Sequence, residues 1–255
     1  MTERKRYSKP PVVEVFCKID FPPILKINDI PSAFQEKIRD EYPEYIQEMG
    51  QEIQISSNIG GPPQFSSVMT SKLNAHVFRT FDESCIMKIT PTNFFFSTTK
   101  YTEWEEFREK FLKAYRFFEE IYSPQVFSRV GLMYRDIFIR SNYGLEDKEW
   151  PELIRPEYLG MLPRDEIDGT SYNGFSDLKF KESEERMKLS VVTVVNEKDN
   201  LPFEDKERCL LLDTDFYLMG RILPKEKETV LENLHKRASN IFRSMTQKIL
   251  SDAME

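Results

Sequence analysis

Residues 85–122 read CIMKITPTNFFFSTTKYTEWEEFREKFLKAYRFFEEIY, and a change of periodicity inside this stretch decides the fold. Cys85 to Thr90 and Phe94 to Thr99 are short runs of strand-forming residues separated by Pro91-Thr92-Asn93, which is turn chemistry. After Lys100 the apolar spacing lengthens. Trp104, Phe107, Phe111, Ala114, Phe118 and Ile121 mark one face of a helix running to about Tyr122. Thr102 followed by Glu105 has the form of a capping box for its first turn. A helix with one apolar stripe must bury it, and a meander with one apolar face supplies the surface. The stretch therefore predicts antiparallel sheet with a helix laid across it.

Working outward, Asn74 to Phe81 adds a third strand ahead of Cys85, with Asp82-Glu83 as the turn. The same succession recurs downstream. Strands near Thr170 to Phe180, Met187 to Asn196 and Arg208 to Met219 precede a final helix that starts at Pro224 and runs to about Asp252. Its stripe holds Val230, Leu231, Leu234, Ala238, Ile241, Phe242, Met245 and Ile249. The copies share little residue identity, so the repeat is one of topology, as an ancestral duplication would leave. Between them Val126 to Ile139 reads as a long central strand. Val130, Leu132, Tyr134 and Asp136 alternate there with Arg129, Gly131, Met133, Arg135 and Ile137, so neither face is purely polar. Asn142-Tyr143-Gly144 then opens an irregular insertion with a helical piece near Pro151 to Leu159.

At the other end, residues 1–9 read as a solvated basic tail. After Pro10-Pro11, Val13, Val15, Cys17, Ile19 and Phe21 alternate with Glu14, Lys18 and Asp20 in a strand stopped by Pro22-Pro23. Ser32 opens a helix to about Gln47 that ends or bends near Tyr42, because Pro43 cannot continue it. A short strand at Ile53 to Ser56 and a Gly60-Gly61-Pro62-Pro63 breaker follow. The whole predicts an α+β fold: one continuous antiparallel sheet built from two β-β-β-α halves, about 10–140 and 141–255, with long amphipathic helices packed on it. Residues 10–255 form a single domain.

Composition bounds the function. The 255 residues are 40% hydrophobic, with 20 Phe, 11 Tyr and 9 Gly, enough bulk for a real core. The net charge of -7 repels polyanions at long range and disfavours nucleic acid as a partner. Cys17, Cys85 and Cys209 are odd in number and lie in apolar runs, as suits buried thiols in a reducing compartment. No run reaches the ~18 apolar residues that span a bilayer, and the basic start is not followed by a signal-peptide core. These features place the protein in the cytoplasm, without a membrane.

Several segments resemble a sporadically distributed, functionally uncharacterised prokaryotic family of about this length. They are Pro10-Pro11-Val12-Val13-Glu14-Val15 with Phe21-Pro22-Pro23, Tyr101-Thr102-Glu103-Trp104-Glu105-Glu106-Phe107, Arg129-Val130-Gly131-Leu132-Met133-Tyr134, Leu211-Leu212-Asp213-Thr214-Asp215, and the run from Ile241-Phe242 to Met254. They span nearly the whole chain in family order. After Leu132 the sequence departs from the pattern, with Met133 where a basic residue is common and Arg135-Asp136 where Ile-Asn is typical. The resemblance implies no established activity, and a gene that comes and goes between genomes as defence or toxin-control cassettes do.

Three sets of residues are candidates for chemistry. Asp213 and Asp215 lie two apart on a strand, so they share a face, opposite Leu210, Leu212, Thr214 and Phe216. With Asp136 from another strand they could hold Mg²⁺ or Mn²⁺ for phosphodiester hydrolysis; the plainer reading pairs them with Arg129, Arg135 or Arg221 across the sheet. Arg129, Arg135 and Arg140 could clamp a phosphate or a partner's carboxylate, or serve in such pairs. Phe94-Phe95-Phe96 could stack bases, although an adjacent helix needs those rings for its own packing. His76 and His235 have no ligands at metal spacing, Gly60-Gly61 lacks the residues of a phosphate loop, and Arg4-Lys5-Arg6 is a solvated terminus.

With no nucleophile and base at motif spacing, the reading leans away from an enzyme and names no cofactor and no metal. It favours a non-catalytic module that engages another protein, encoded nearby in a defence or toxin-control cassette, with Arg129, Arg135, Asp136, Asp213 and Asp215 as its binding residues. The alternatives are a metal-dependent phosphoesterase or nuclease using Asp213 and Asp215, and a sensor of a small ligand or nucleotide.

Overall fold

A computed structural model describes residues 7–29, 31–56, 66–164, 166–167, 169–196 and 206–255. Among these, nine strands form one antiparallel sheet: β1 (Val12–Asp20), β2 (Glu44–Ser56), β3 (Ser66–Arg79), β4 (Cys85–Thr90), β5 (Asn93–Thr98), β6 (Phe127–Phe138), β7 (Asn173–Lys179), β8 (Glu185–Val195) and β9 (Arg208–Ile222). Their spatial order is β2-β3-β4-β5-β1-β6-β9-β8-β7. The helices are α1 (Ser32–Ile38), α2 (Trp104–Tyr122), α3 (Trp150–Leu153), α4 (Lys227–Met245) and α5 (Lys248–Ala253). The protein is α+β, with a continuous sheet as its centre.

The N-terminal strand takes the middle of that sheet, between β5 and β6. Its alternation explains why: Val15, Cys17 and Ile19 have no exposed surface, while Glu14, Lys18 and Asp20 face the other way. In register, Cys17 stands between Phe96 and Leu132, and Leu132 opposes Phe216 on β9. This apolar row runs beneath the helices. The meander β3-β4-β5 is followed by α2, and β7-β8-β9 by α4; among the described residues β2, outside β3, has no counterpart beyond β7.

The rings of α2 sit on the sheet as their spacing demands. Phe118 and Tyr115 pack 5.0 and 5.3 Å from Phe94, and Phe107 lies 5.7 Å from Phe96. Burying one Phe side chain stabilises by roughly 1.5–3 kcal/mol, so this aromatic layer dominates local stability. Helix α4 turns Leu231, Leu234, Ala238 and Met245 inward over β6 and β9. The two helices also touch: Trp104 stacks on His235 with ring centroids 4.4 Å apart.

Several boundaries differ from the sequence reading. The helix from Ser32 stops at Ile38 rather than near Gln47, and Glu44 already belongs to β2. Pro43 has no N–H to continue the helix, and beyond it Tyr45 pairs with Phe78 and Gln47 with His76. The short strand expected at Ile53 is the end of this 13-residue strand. Helix α2 begins at Trp104 with Glu103 as its cap residue and no side-chain cap; Thr102 Oγ1 instead donates to the Glu106 carboxylate. The final helix is interrupted at Thr246, which bridges to Ile154. The Arg155 N–H donates to Met245 O and the Gln247 N–H to Leu153 O, both at 2.8 Å, so the insertion supplies bonds that would otherwise continue the helix. Gly60-Gly61-Pro62-Pro63 and Arg4-Lys5-Arg6 lie outside the described residues.

Candidate binding site

Strands β6 and β9 each present two unlike faces, and the site residues divide between them. Away from the helices, Arg129, Gly131, Met133 and Arg135 of β6 oppose Met219, Tyr217, Asp215 and Asp213 of β9. Arg129 Nη2 donates to both carboxylate oxygens of Asp215 at 2.6 Å. Arg135 donates through Nε and Nη2 to Asp213 at 2.9 and 3.2 Å, and through Nη1 to Glu14 of β1 at 3.2 Å. The hydrogen bonds that Arg135 donates to Asp213 outweigh the opposing effect of burial and hold its guanidinium firmly protonated. Arg221 takes no part in either pair.

Both arginines are also packed. The Arg129 guanidinium lies 4.6 Å from the Tyr217 ring centroid and that of Arg135 5.1 Å from Phe16. Gly131 makes the first arrangement feasible, since a Cβ there would stand 2.4 Å from Arg129 Nη1. Phe16 in turn meets Phe95 at 5.6 Å. A hollow of about 310 Å³ opens here, with Lys18, Phe95, Met133 and Lys188 on its walls. Phe95 thus faces away from the helices while Phe94 and Phe96 are core, so the three rings form no continuous platform. Arg140, beyond the end of β6, donates to Lys148 O at 2.8 Å and lies over Trp150, apart from this face.

Asp136 is on the opposite side of the sheet. It lies in the row of Val130, Leu132, Tyr134 and Phe138, is 3% exposed, and no donor among the described residues reaches its carboxyl. Burial, seconded by the charge of Asp213, pushes its pKa up to about 7. The three aspartates therefore do not converge, and the metal site proposed for them is not assembled. Among the described residues no group of three or more His, Cys, Asp or Glu side chains is placed to hold a metal ion. No family model and no curated protein matches the chain.

The carboxyl of Asp136 borders a cavity of about 140 Å³ whose walls include Tyr7, Tyr101, Tyr134, Phe216 and Phe242. Tyr134 joins these rings to the helices: it lies edge-on to Tyr101 at 5.9 Å, and its hydroxyl is 2.9 Å from His235 Nδ1. Tyr7 meets Phe242 at 5.8 Å. A second hollow of about 420 Å³ shares Tyr7, Ser239 and Phe242 with the cavity. Alternation puts Asp136 in the register of Val130, Leu132 and Tyr134, but nothing in the sequence brings Tyr7, Tyr101, Phe216 and Phe242 to it. One acid in an apolar register was the signal. His76 is structural: its Nε2 is 2.8 Å from Ile27 O and its Nδ1 2.9 Å from the Tyr45 hydroxyl.

Proposed function

We propose that the chain is a non-catalytic binding module that engages another protein through the sheet face turned away from α2 and α4. The observation that carries this reading is the pairing of Asp213 and Asp215 with Arg135 and Arg129. Carboxylates committed to guanidinium groups are poor metal ligands and poor bases, whereas a charge-compensated surface with arginines held in place suits recognition. Phe16, Phe95 and Met133, partly buried between these pairs, are residue types enriched with Arg in protein interfaces. Phe175 and Met219 extend the face toward its margin, exposed by 66% and 58%.

Location in the cytoplasm is part of the same proposal. The three cysteines are free and buried, and burial raises the thiol pKa of Cys17 and of Cys209, the latter to about 11, as suits unreactive thiols at those two positions in a reducing compartment. No helix among the described residues is long and apolar enough to cross a membrane. The family resemblance directs the search for the partner to the products of neighbouring genes, in the setting of a defence or toxin-control cassette.

The test is co-purification with those products, followed by calorimetric titration of the recovered pair. Phe95→Glu and Met133→Glu should each weaken binding by tenfold or more, while Lys225→Glu, exposed in the turn between β9 and α4, leaves it unchanged. Equal affinity in all three variants, or no complex with any neighbouring product, would refute the reading.

A further inference from the structure

We propose that the cavity beneath α4 is a binding site for a small organic cation, an amine with a compact apolar body, for which Asp136 supplies the counter-charge. This site is on the other side of the sheet from the protein-binding face and stands independently of it.

Four observations carry the inference. A buried carboxyl without a hydrogen-bond donor is costly, and natural interiors nearly always pair or solvate such a group. Here the register calls for an aliphatic or aromatic residue, as at Val130, Leu132 and Phe138, and an acid stands in its place. Asp136 is also one of the residues that line the cavity. The neighbouring cation, Arg135, points through the sheet's other face and is engaged by Asp213 and Glu14, so the chain's own charges do not neutralise it from that side.

The walls specify the sign and size of the guest. Tyr7, Tyr101, Tyr134, Phe216 and Phe242 surround the space, and the negative faces of aromatic rings attract cations, the more so when water is excluded. An anionic guest would meet Asp136 within walls that offer it no positive charge. The volume of about 140 Å³ is close to that of a dry cavity of about 150 Å³ known to admit benzene. A guest of roughly that size with one ammonium group matches both constraints. The adjoining hollow offers a route from the surface, and Glu105 and Glu232 there are balanced by Lys236 and Arg243, so selection falls to the cavity itself.

The experiment titrates the full-length protein at pH 8 with benzylamine, toluene and benzoate, followed by calorimetry and by ligand-detected NMR. Benzylamine should bind at least tenfold more tightly than toluene, and benzoate should not bind. Asp136→Asn keeps the side-chain volume and removes the charge; it should bring benzylamine to the level of toluene and leave toluene unaffected, with the fold verified by circular dichroism. Ala238→Phe, which fills the space from α4, should exclude both guests. The proposal fails if toluene and benzylamine bind equally to the unaltered protein, if Asp136→Asn keeps the preference for the amine, if Ala238→Phe still admits either guest, or if neither guest binds at millimolar concentration.

Discussion

Arg129 on β6 places one guanidinium nitrogen 2.6 Å from both carboxylate oxygens of Asp215 on β9, and it can do so because Gly131 has no side chain beneath it. The two side chains are 17% and 14% exposed, so solvent screens the pair only partly. A double-mutant cycle of Arg129→Met and Asp215→Ala should return a coupling of roughly 1–2 kcal/mol in urea denaturation, above the usual surface pair. Gly131→Ala should displace Arg129 and cost about 1 kcal/mol by the same route. Additive single mutants would show that the pair contributes nothing.

Asp136 makes stability depend on pH. Its folded pKa of about 7 lies above the unfolded value of ~3.9, so the folded state holds the proton more tightly than the unfolded chain. Below ~pH 4 both states are protonated and the native state carries no charge penalty from this group. Stability then falls as pH rises through the window up to about 7 and levels off above it, by roughly 4 kcal/mol in all. The groups facing the carboxyl are Tyr7, Tyr101 and Tyr134 around the cavity, with Tyr143 and Asp213 coupled to it by charge. Asp136→Asn should abolish this slope and raise the urea midpoint at pH 8 but not at pH 4. Parallel pH profiles for the two proteins would show that Asp136 does not titrate in this window.

The two sides of β5 should respond differently to truncation. Phe94 has no exposed surface and packs on Phe111, Tyr115 and Phe118, so Phe94→Ala should cost about 3–5 kcal/mol. Phe95 is only partly buried, and Phe95→Ala should cost about 1 kcal/mol. Equal losses in thermal or urea unfolding would mean that the far face is as tightly covered as the helix face.

His76 is 1% exposed and bonded at both ring nitrogens, to the Ile27 carbonyl and the Tyr45 hydroxyl. Since a carbonyl only accepts, Nε2 carries the proton and Nδ1 accepts from Tyr45. His76→Phe should therefore cost about 1–3 kcal/mol, by stranding the Ile27 carbonyl in the interior, and Tyr45→Phe less, since the Tyr45 hydroxyl bond it removes is only partly buried. Equal stability of His76→Phe and the unaltered protein would place water on the Ile27 carbonyl.

Much of this architecture was legible before any coordinates, and the misses have local causes. The strands around Phe94 and Val130 and the helix at Trp104 follow from periodicities of two and 3.6 residues. The helix opened at Ser32 reads on to about Gln47 with only a bend at Pro43, because nothing near Tyr45 and Gln47 announces that their partners are Phe78 and His76. Thr246 was read through for a similar reason: the stripe resumes at Ile249, and the bonds that break the helix come from Leu153 and Arg155, some 90 residues away.

By itself the sequence determined which residues alternate, and therefore that Asp213 and Asp215 share one face of their strand and that Asp136 lies among apolar neighbours. Only the tertiary structure decided that β1 enters between β5 and β6, that the two aspartates meet Arg135 and Arg129, and that Tyr7, Tyr101, Tyr134, Phe216 and Phe242 surround one carboxyl. The reason is physical. Alternation is set by the bond geometry of adjacent residues, whereas strand neighbours and cavity walls are set by which distant apolar surfaces bury one another best, a competition among all the elements at once.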